Sequence, residues 1–434
     1  MKHIWSSQND QFELQSYGLR YGLMMDKESE AVFMEWVTEQ ERKLRVTHNC
    51  DVLVAGGGVA GIAAALAAAR NGAQVILIDK QCLLGGLGTL GLVTVYLPLC
   101  DGKGHQVSFG IAEELLRLSI RYGCERFYPR AWLENGTPEE KKEQRFQAQY
   151  NPHLFAISVE QLLLQAGVKL LYDTRICGIL KDAQRIQAVI VENVDGRTAI
   201  TANAVVDATG NADICAYSGE KTHCFDKNVD AAWYYYFAGG NYALKMQGFV
   251  DLPEADDRQE SYAQSRYYSG LDAQDNTQMV ITAHQSILHD VLRRRAELPD
   301  IVPVSIPVIP QLRMTRRLVG ERELDLSDDG RSFEDSVGMI SSWRTRGPVY
   351  QLPFSCLHGI TVKNLLVAGR CISSSDPMWD LTRVIPACAV SGEAAGTAAA
   401  MLKTDVSSIK IRELQQRLVS QGVRLYPNEA IETV

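Results

Sequence analysis

The chain has 434 residues, of which 46% are hydrophobic and 22% charged, with 44 basic against 52 acidic side chains and a formal net charge of −8. That length exceeds what one core usually takes, so two structural units are expected. The acidic balance argues against non-specific binding to nucleic acid and against an anionic membrane surface.

No apolar run approaches the roughly 20 residues of a membrane helix. The N-terminal MKHIWSSQNDQFELQ lacks the apolar segment of a secretory signal. The ten cysteines form neither a CxxC nor a CxH pair, so no zinc site, dithiol redox centre or cysteine-ligated iron–sulfur cluster is signalled and no metal is expected. A reduced, cytoplasmic protein is the simplest reading.

Residues 1–49 form an extension in which Ser29–Arg45 is expected as a polar helix, with Val32, Phe33, Trp36 and Val37 on one face. The first strand, Asp51–Ala55, runs into the turn Gly56-Gly57-Gly58-Val59-Ala60-Gly61, an alanine-rich helix and a second strand, Gln74–Ile78, ending at Asp79. Each part has a physical role in binding a dinucleotide. Gly56 allows the tight turn, Gly58 lets the backbone approach a pyrophosphate, and Gly61 lets helix and strand pack closely. The helix start offers free N–H groups and a positive dipole end. Asp79, 18 residues after Gly61, stands near the spacing of a ribose hydroxyl acceptor.

A second glycine cluster follows at Leu84-Gly85-Gly86-Leu87-Gly88-Thr89, then a helix over Gly110–Tyr122 and a polar excursion over 124–150. Ser158–Gln165 reads as a helix, Lys169–Tyr172 and Thr174–Lys181 as strands, and Gln187–Asn193 with Arg197–Thr201 as a hairpin about Asp195-Gly196. Ala204–Asp207 is a buried strand that ends in Ala208-Thr209-Gly210. From 211 to 350 the α/β rhythm lapses, and it returns at Asn364–Gly369 before a long helix, Cys388–Leu402. The expected fold class is therefore α/β, a Rossmann-like domain in two parts, 50–210 and 351–405, interrupted by an α+β substrate or cap domain at 211–350 and followed by a tail at 406–434. An interrupted sheet domain suits a flavin, a long ligand held from two distant segments, better than a nicotinamide. No second GxGxxG occurs within 211–350 to serve NAD(P)H.

The combination of GGGVAGIAAALAAARNG with Asp79, LLGGLGT, DATGNAD at 207–213, TRRLVGE at 315–321 and LLVAGRCIS…RVIPACAVSGEAAGTAAA at 365–400 resembles the FAD-dependent oxidoreductase family. That family has the glutathione-reductase-type FAD fold, of ββα type, and is distantly related to the fumarate reductase flavoproteins; the resemblance covers about residues 48–403. It implies FAD as cofactor, with Gly56, Gly58 and Gly61 at the pyrophosphate and Asp79 at the adenosine ribose. Lys80, Gly85 and Gly86 would line the ribose and pyrophosphate side, Ile176 would mark the adenine edge, and Ala208-Thr209-Gly210 would pass the pyrophosphate. Gly369–Gly396 would make the flavin site. Arg370 stands where relatives often carry an acid for the ribityl chain, which leaves its contact open. Pro386 precedes a helix beginning near Ala387–Ala389, whose start, with Ala387 and Cys388, would point its positive end at the flavin.

The implied activity is hydride or electron-pair transfer between bound FAD and a small organic substrate. The alternatives are an FAD-containing isomerase, hydratase or synthase without net redox change, or a flavoprotein subunit of an electron-transfer complex. Arg383 would add positive charge beside the flavin or serve as a surface salt-bridge arginine. Arg316, with Arg313 and Arg317, would bind a carboxylate or form a basic turn paired with the acids that follow. His105 and His358 are candidates for proton transfer, or structural histidines. Trp379 and Asp380, in the loop before Arg383, would cover the flavin ring.

Overall fold

The computed structural model describes residues 39–248 and 266–427. The chain divides into two units, 1–43 and 44–434. Of the helix expected over Ser29–Arg45, residues 39–45 have no regular structure and the rest lies outside the described residues.

Within the second unit, strand β1 (Val46–Ala55) leads through the glycine turn into helix α1 (Val59–Arg70) and strand β2 (Val75–Ile78). β1 pairs in parallel with β2 on one side and with Gly196–Asp207 on the other; Lys169–Leu171 extends the sheet beyond β2, and Leu365–Val367 pairs with the C-terminal end of Gly196–Asp207. The N-terminal half of Gly196–Asp207 pairs antiparallel with Arg185–Asn193, which pairs with Arg175–Asp182. The result is a Rossmann-like parallel sheet with an antiparallel meander. Val52–Ala55 and all of β2 are buried, as parallel strands covered on both faces must be.

Several boundaries differ from expectation for local reasons. β1 begins at Val46, four residues before position 50, because it follows its neighbour Gly196–Asp207, itself one strand where two were expected. The helix expected at Ser158 starts at Pro152, where the Asn151 side chain accepts the His153 and Leu154 N–H groups and proline suits the first turn. Of the expected second domain, the described residues Ala232, Tyr234, Ala238, Ala283, Ile287, Val291 and Ile301 form a core of their own. It is built from the strands Tyr234–Ala238, Asn241–Lys245 and Val302–Ser305 and the helix Ala273–Arg294. The hairpin Ser336–Ser341/Val349–Pro353 packs instead on the helix Ile385–Met401, where a Cβ at Gly338 would lie 2.5 Å from Val390 Cγ1. The expected tail contains the helix Ile411–Ser420, whose Leu414 and Leu418 join the main core. No single helix among the described residues is long and apolar enough to cross a membrane.

The helix Ile385–Met401 crosses α1 at backbone distance. A Cβ at Gly392 would sit 2.3 Å from the Ala60 carbonyl oxygen, and one at Gly396 2.0 Å from that of Ala64. The alanines of α1 supply the matching shallow face. Gly396→Leu is therefore expected to force the helices apart and lower stability by about 2 kcal/mol or more, read from the denaturant midpoint of unfolding.

Glu393, on the same helix, is 2% exposed and accepts the Ile111 N–H at 2.8 Å, at the start of the helix Ile111–Ser119. Burial pushes its carboxyl up to about 8, against the pull of the Ile111 N–H; nearby Glu114 raises it further and Arg70 opposes. The unfolded chain releases this proton near 4.5. The group's contribution to stability is thus full below 4.5 and is lost as pH rises through 8. Glu393→Gln is expected to flatten that part of the decline, leaving the variant more stable than the wild type at pH 8, as urea titrations across the range would show.

Candidate functional site

The three glycines of the first turn meet three different constraints. Gly56 has φ +103°, and a Cβ there would lie 2.4 Å from the Ala208 carbonyl oxygen. A Cβ at Gly61 would lie 1.8 Å from the Gly56 carbonyl oxygen, so helix and strand close on each other only without it. Gly58 is neither: its φ of −68° suits any residue, and a Cβ there would meet nothing within 4 Å. The fold does not require glycine at 58; the open space in front of it does. Gly58 is also the N-cap of α1, which has no side-chain cap, so the first N–H groups of the helix remain open to an anion.

Two further turns close on this one. Gly85 N–H donates to the Gly57 carbonyl at 2.8 Å, and a Cβ at Gly86, where φ is +53°, would stand 3.3 Å from Gly58 Cα. The turn 208–210 is held from below by Asp207, fully buried, whose Oδ1 accepts from Thr209 N–H and Oγ1 and whose Oδ2 accepts from Cys215 N–H at 3.0 Å. At the end of β2, Asp79 Oδ2 accepts the Gly57 N–H at 2.6 Å and Oδ1 the Gln81 N–H at 2.7 Å. Burial raises the Asp79 carboxyl above its ordinary range, and those two N–H groups draw it back.

The helix Ile385–Met401 begins with Val384 as N-cap and Pro386 in its first turn, again without a side-chain cap. It starts two residues before the expected Ala387, because proline sits inside the first turn rather than ahead of it. Arg383, just upstream, is paired with Asp380, which also receives Arg344. Burial works to raise the Asp380 carboxyl, yet Arg383 and Arg344 hold it below the usual range. Cys388 is pushed up to about 12 by burial, against Arg370 and Arg383, and so is a neutral thiol at physiological pH.

These segments line one cleft holding about 290 Å³ of water-accessible space. Gly56, Gly58, Val59, Ala60, Asp79 and Lys80 form one side, Gly85 and Gly86 the next, and Ala208, Thr209 and Gly210 the floor. Gly369, Arg370, Arg383 and Cys388 complete it from residues nearly 300 positions later. An extended dinucleotide suits this lining: two uncapped helix starts open on it, and the Gly58 space would be filled by any side chain. The sequence reading missed Val308, Ile309, Pro310 and Leu312, a strip of the insertion that closes the cleft opposite Leu90. Val308 N–H donates to the Leu90 carbonyl at 3.0 Å, and the Gln311 side chain donates to the Gly91 carbonyl. Its one signal in the chain is the proline-spaced apolar run IPVIP.

Other candidates lie outside the lining. Gly61 and Ala387 are buried in helix packing beside it. Ile176 faces Val191 in the meander, two residues past Thr174, whose N–H donates to the Asp79 carbonyl. His105 is on the surface, its Nδ1 2.8 Å from Asp101 Oδ2. His358 is 6% exposed, with Nδ1 3.0 Å from the Gly359 carbonyl and its ring against Phe354. Neither histidine lines the cleft: His105 is held by its own loop, and His358 by Gly359 and, across 3.7 Å, by Glu321. Arg316 donates to the Asn211 carbonyl and to Asp213 Oδ1, both at 2.9 Å, and Arg317 bridges Glu323 and Asp376, so these two are spent on neighbouring acids and a carbonyl, while Arg313 lies over the Trp233 ring. Trp379 and Asp380 belong to the helix Asp376–Thr382, and Trp379 is fully buried against Phe225, so it covers no ligand.

The profile of a family described as FAD dependent oxidoreductase matches residues 51–232 and 236–418. Among curated proteins, a thioredoxin reductase of Ureaplasma parvum is 33% identical over 70 residues, covering 16% of this chain and 23% of the relative. A 4-oxocyclohex-2-ene-1-carboxylate 5-dehydrogenase of Sinomonas cyclohexanicum is 42% identical over 60 residues, covering 14% and 10%. The chain thus spans less than a quarter of the length of these curated relatives. Among solved structures, a p-nitrophenol 4-monooxygenase of Pseudomonas putida is similar over 86% of this chain and 84% of its own, at 12% identity and a TM-score of 0.46.

Proposed function

The chain belongs to the FAD-dependent oxidoreductase family, and from that premise we propose that its cleft holds FAD lengthwise and exchanges a hydride or electron pair with a small organic substrate. Asp79 and Lys80 would hold the adenosine end, the turns at Gly58, Gly85–Gly86 and 208–210 the diphosphate, and the segment from Arg383 to Cys388 the flavin end. The single observation that carries this is the pair of uncapped helix starts, α1 and Ile385–Met401, opening on one cleft with unfilled space at Gly58.

When bound, FAD supplies reversible two-electron chemistry. The chain's own residues bind and shield it. The start of Ile385–Met401 presents a positive dipole end, and Arg383, steadied by Asp380, adds charge beside it. Ile309, Pro310 and Leu312, with Leu90 and Ile385, would give that cleft an apolar wall against water, which strengthens these electrostatic interactions. Cys388, a neutral thiol, serves as a wall and not as a nucleophile.

Purified full-length protein is expected to be yellow and to release FAD on denaturation; colourless protein that cannot be reconstituted refutes the reading. Anaerobic titration with candidate substrates separates redox from non-redox use of the flavin, since only an oxidised or reduced substrate changes its absorbance in stoichiometric amount. Gly58→Val is expected to fold with the stability of flavin-free wild type, within about 1 kcal/mol, because its methyls enter open space. It should nevertheless purify without FAD. Full FAD content in this variant would remove the diphosphate from Gly58.

A further inference from the structure

Among the described residues, four charged side chains line the cleft: Asp79, Lys80, Arg370 and Arg383. Asp79 is engaged by two backbone N–H groups, and Arg383 is paired with Asp380. Arg370 is placed differently. Its Nε donates to the Gly210 carbonyl, its Nη1 to the Leu312 carbonyl, and its Nη2 to Asn211 Oδ1 at 3.1 Å. All three acceptors are neutral. A guanidinium has five N–H donors, so two remain. The acid that acts on it, Asp213, is already bonded to Arg316 at 2.9 Å.

Burying a cation against neutral oxygens alone leaves most of its desolvation cost unopposed. The surroundings are nevertheless shaped to receive it. A Cβ at Gly210, where φ is +79°, would lie 2.9 Å from Arg370 Nε, so only glycine admits the guanidinium. The preceding residue, Gly369, abuts the first turn of α1, where its Cβ would fall 2.7 Å from Ala60 Cβ. Arg370 thus leaves the backbone beside one uncapped helix start and runs along the 208–210 turn to the insertion strip. A site with an uncompensated cation, spare donors and an adjacent helix N-terminus is built for a doubly charged anion.

We propose that Arg370 is the countercharge for the diphosphate bridge of the bound dinucleotide and, through the Leu312 carbonyl, the fastening that sets the insertion strip against it. The inference rests on the FAD reading above and deepens it by naming the side chain that distinguishes a diphosphate from its neutral analogues. A residue serving only to tie the turn to the strip would affect folding and not that distinction.

Calorimetric titration of the flavin-stripped full chain with ADP and with adenosine reads the distinction directly. Wild type is expected to prefer ADP. Arg370→Gln, which keeps donors for the carbonyls but removes the charge, is expected to cut that preference about tenfold or more with adenosine affinity unchanged. An unaltered ADP-to-adenosine ratio overturns the proposal. Should Arg370→Gln fail to fold, Arg370→Lys decides: it keeps the charge without the fork and is expected to retain most of the preference, and a Lys variant that folds and binds adenosine normally yet has lost its preference for ADP overturns the proposal. Wild type that binds neither FAD nor ADP would instead refute the flavin reading, a result distinct from an unchanged ratio.

Discussion

The contact between α1 and the helix Ile385–Met401 is made by backbone against backbone, with Gly392 over the Ala60 carbonyl and Gly396 over that of Ala64. Larger residues at these positions would hold the helices side-chain lengths apart. The close approach brings two helix starts, more than 300 residues apart in the chain, to the rim of one cleft. Their first N–H groups lack side-chain caps, a cost that the fold alone does not recover and an anionic ligand does. The cleft is therefore a consequence of helix packing rather than a feature added to it.

Buried and half-buried carboxyl groups hold the pieces in register around that contact. Asp207 fixes the 208–210 turn, Glu393 receives the start of Ile111–Ser119, and Asp79 ties β2 to the glycine turn. Each acts as an acceptor for backbone N–H groups that no sheet or helix satisfies, which is the condition for burying an acid at tolerable cost. Two of these acids, Asp79 and Asp207, lie directly beside the proposed dinucleotide path, so the same bonds that shape the cleft keep their negative charge engaged away from a diphosphate.

The arginines separate into two groups by what they meet. Arg316 and Arg317 find carboxylates on adjacent elements and cement the return of the chain from the insertion to the sheet. Arg370 finds only neutral oxygens and faces the cleft. The residue type is the same in both groups; what differs is the charge of the acceptors each one meets.

What the sequence by itself determined is the strand–turn–helix–strand frame, the tight turn at Gly56 and the close packing at Gly61, and the return of the chain to the sheet near residue 364. These are legible because they rest on local constraints: a positive φ, a Cβ with no room, an apolar run of strand length. The tertiary structure decided the rest. It buried Trp379, left His105 and His358 outside the cleft, spent Arg316 on Asp213, and brought the strip Val308–Leu312 over the site. Those outcomes depend on which distant group a side chain meets, and a partner about 100 residues away, as Asp213 is from Arg316, leaves no local periodicity or spacing by which to read it.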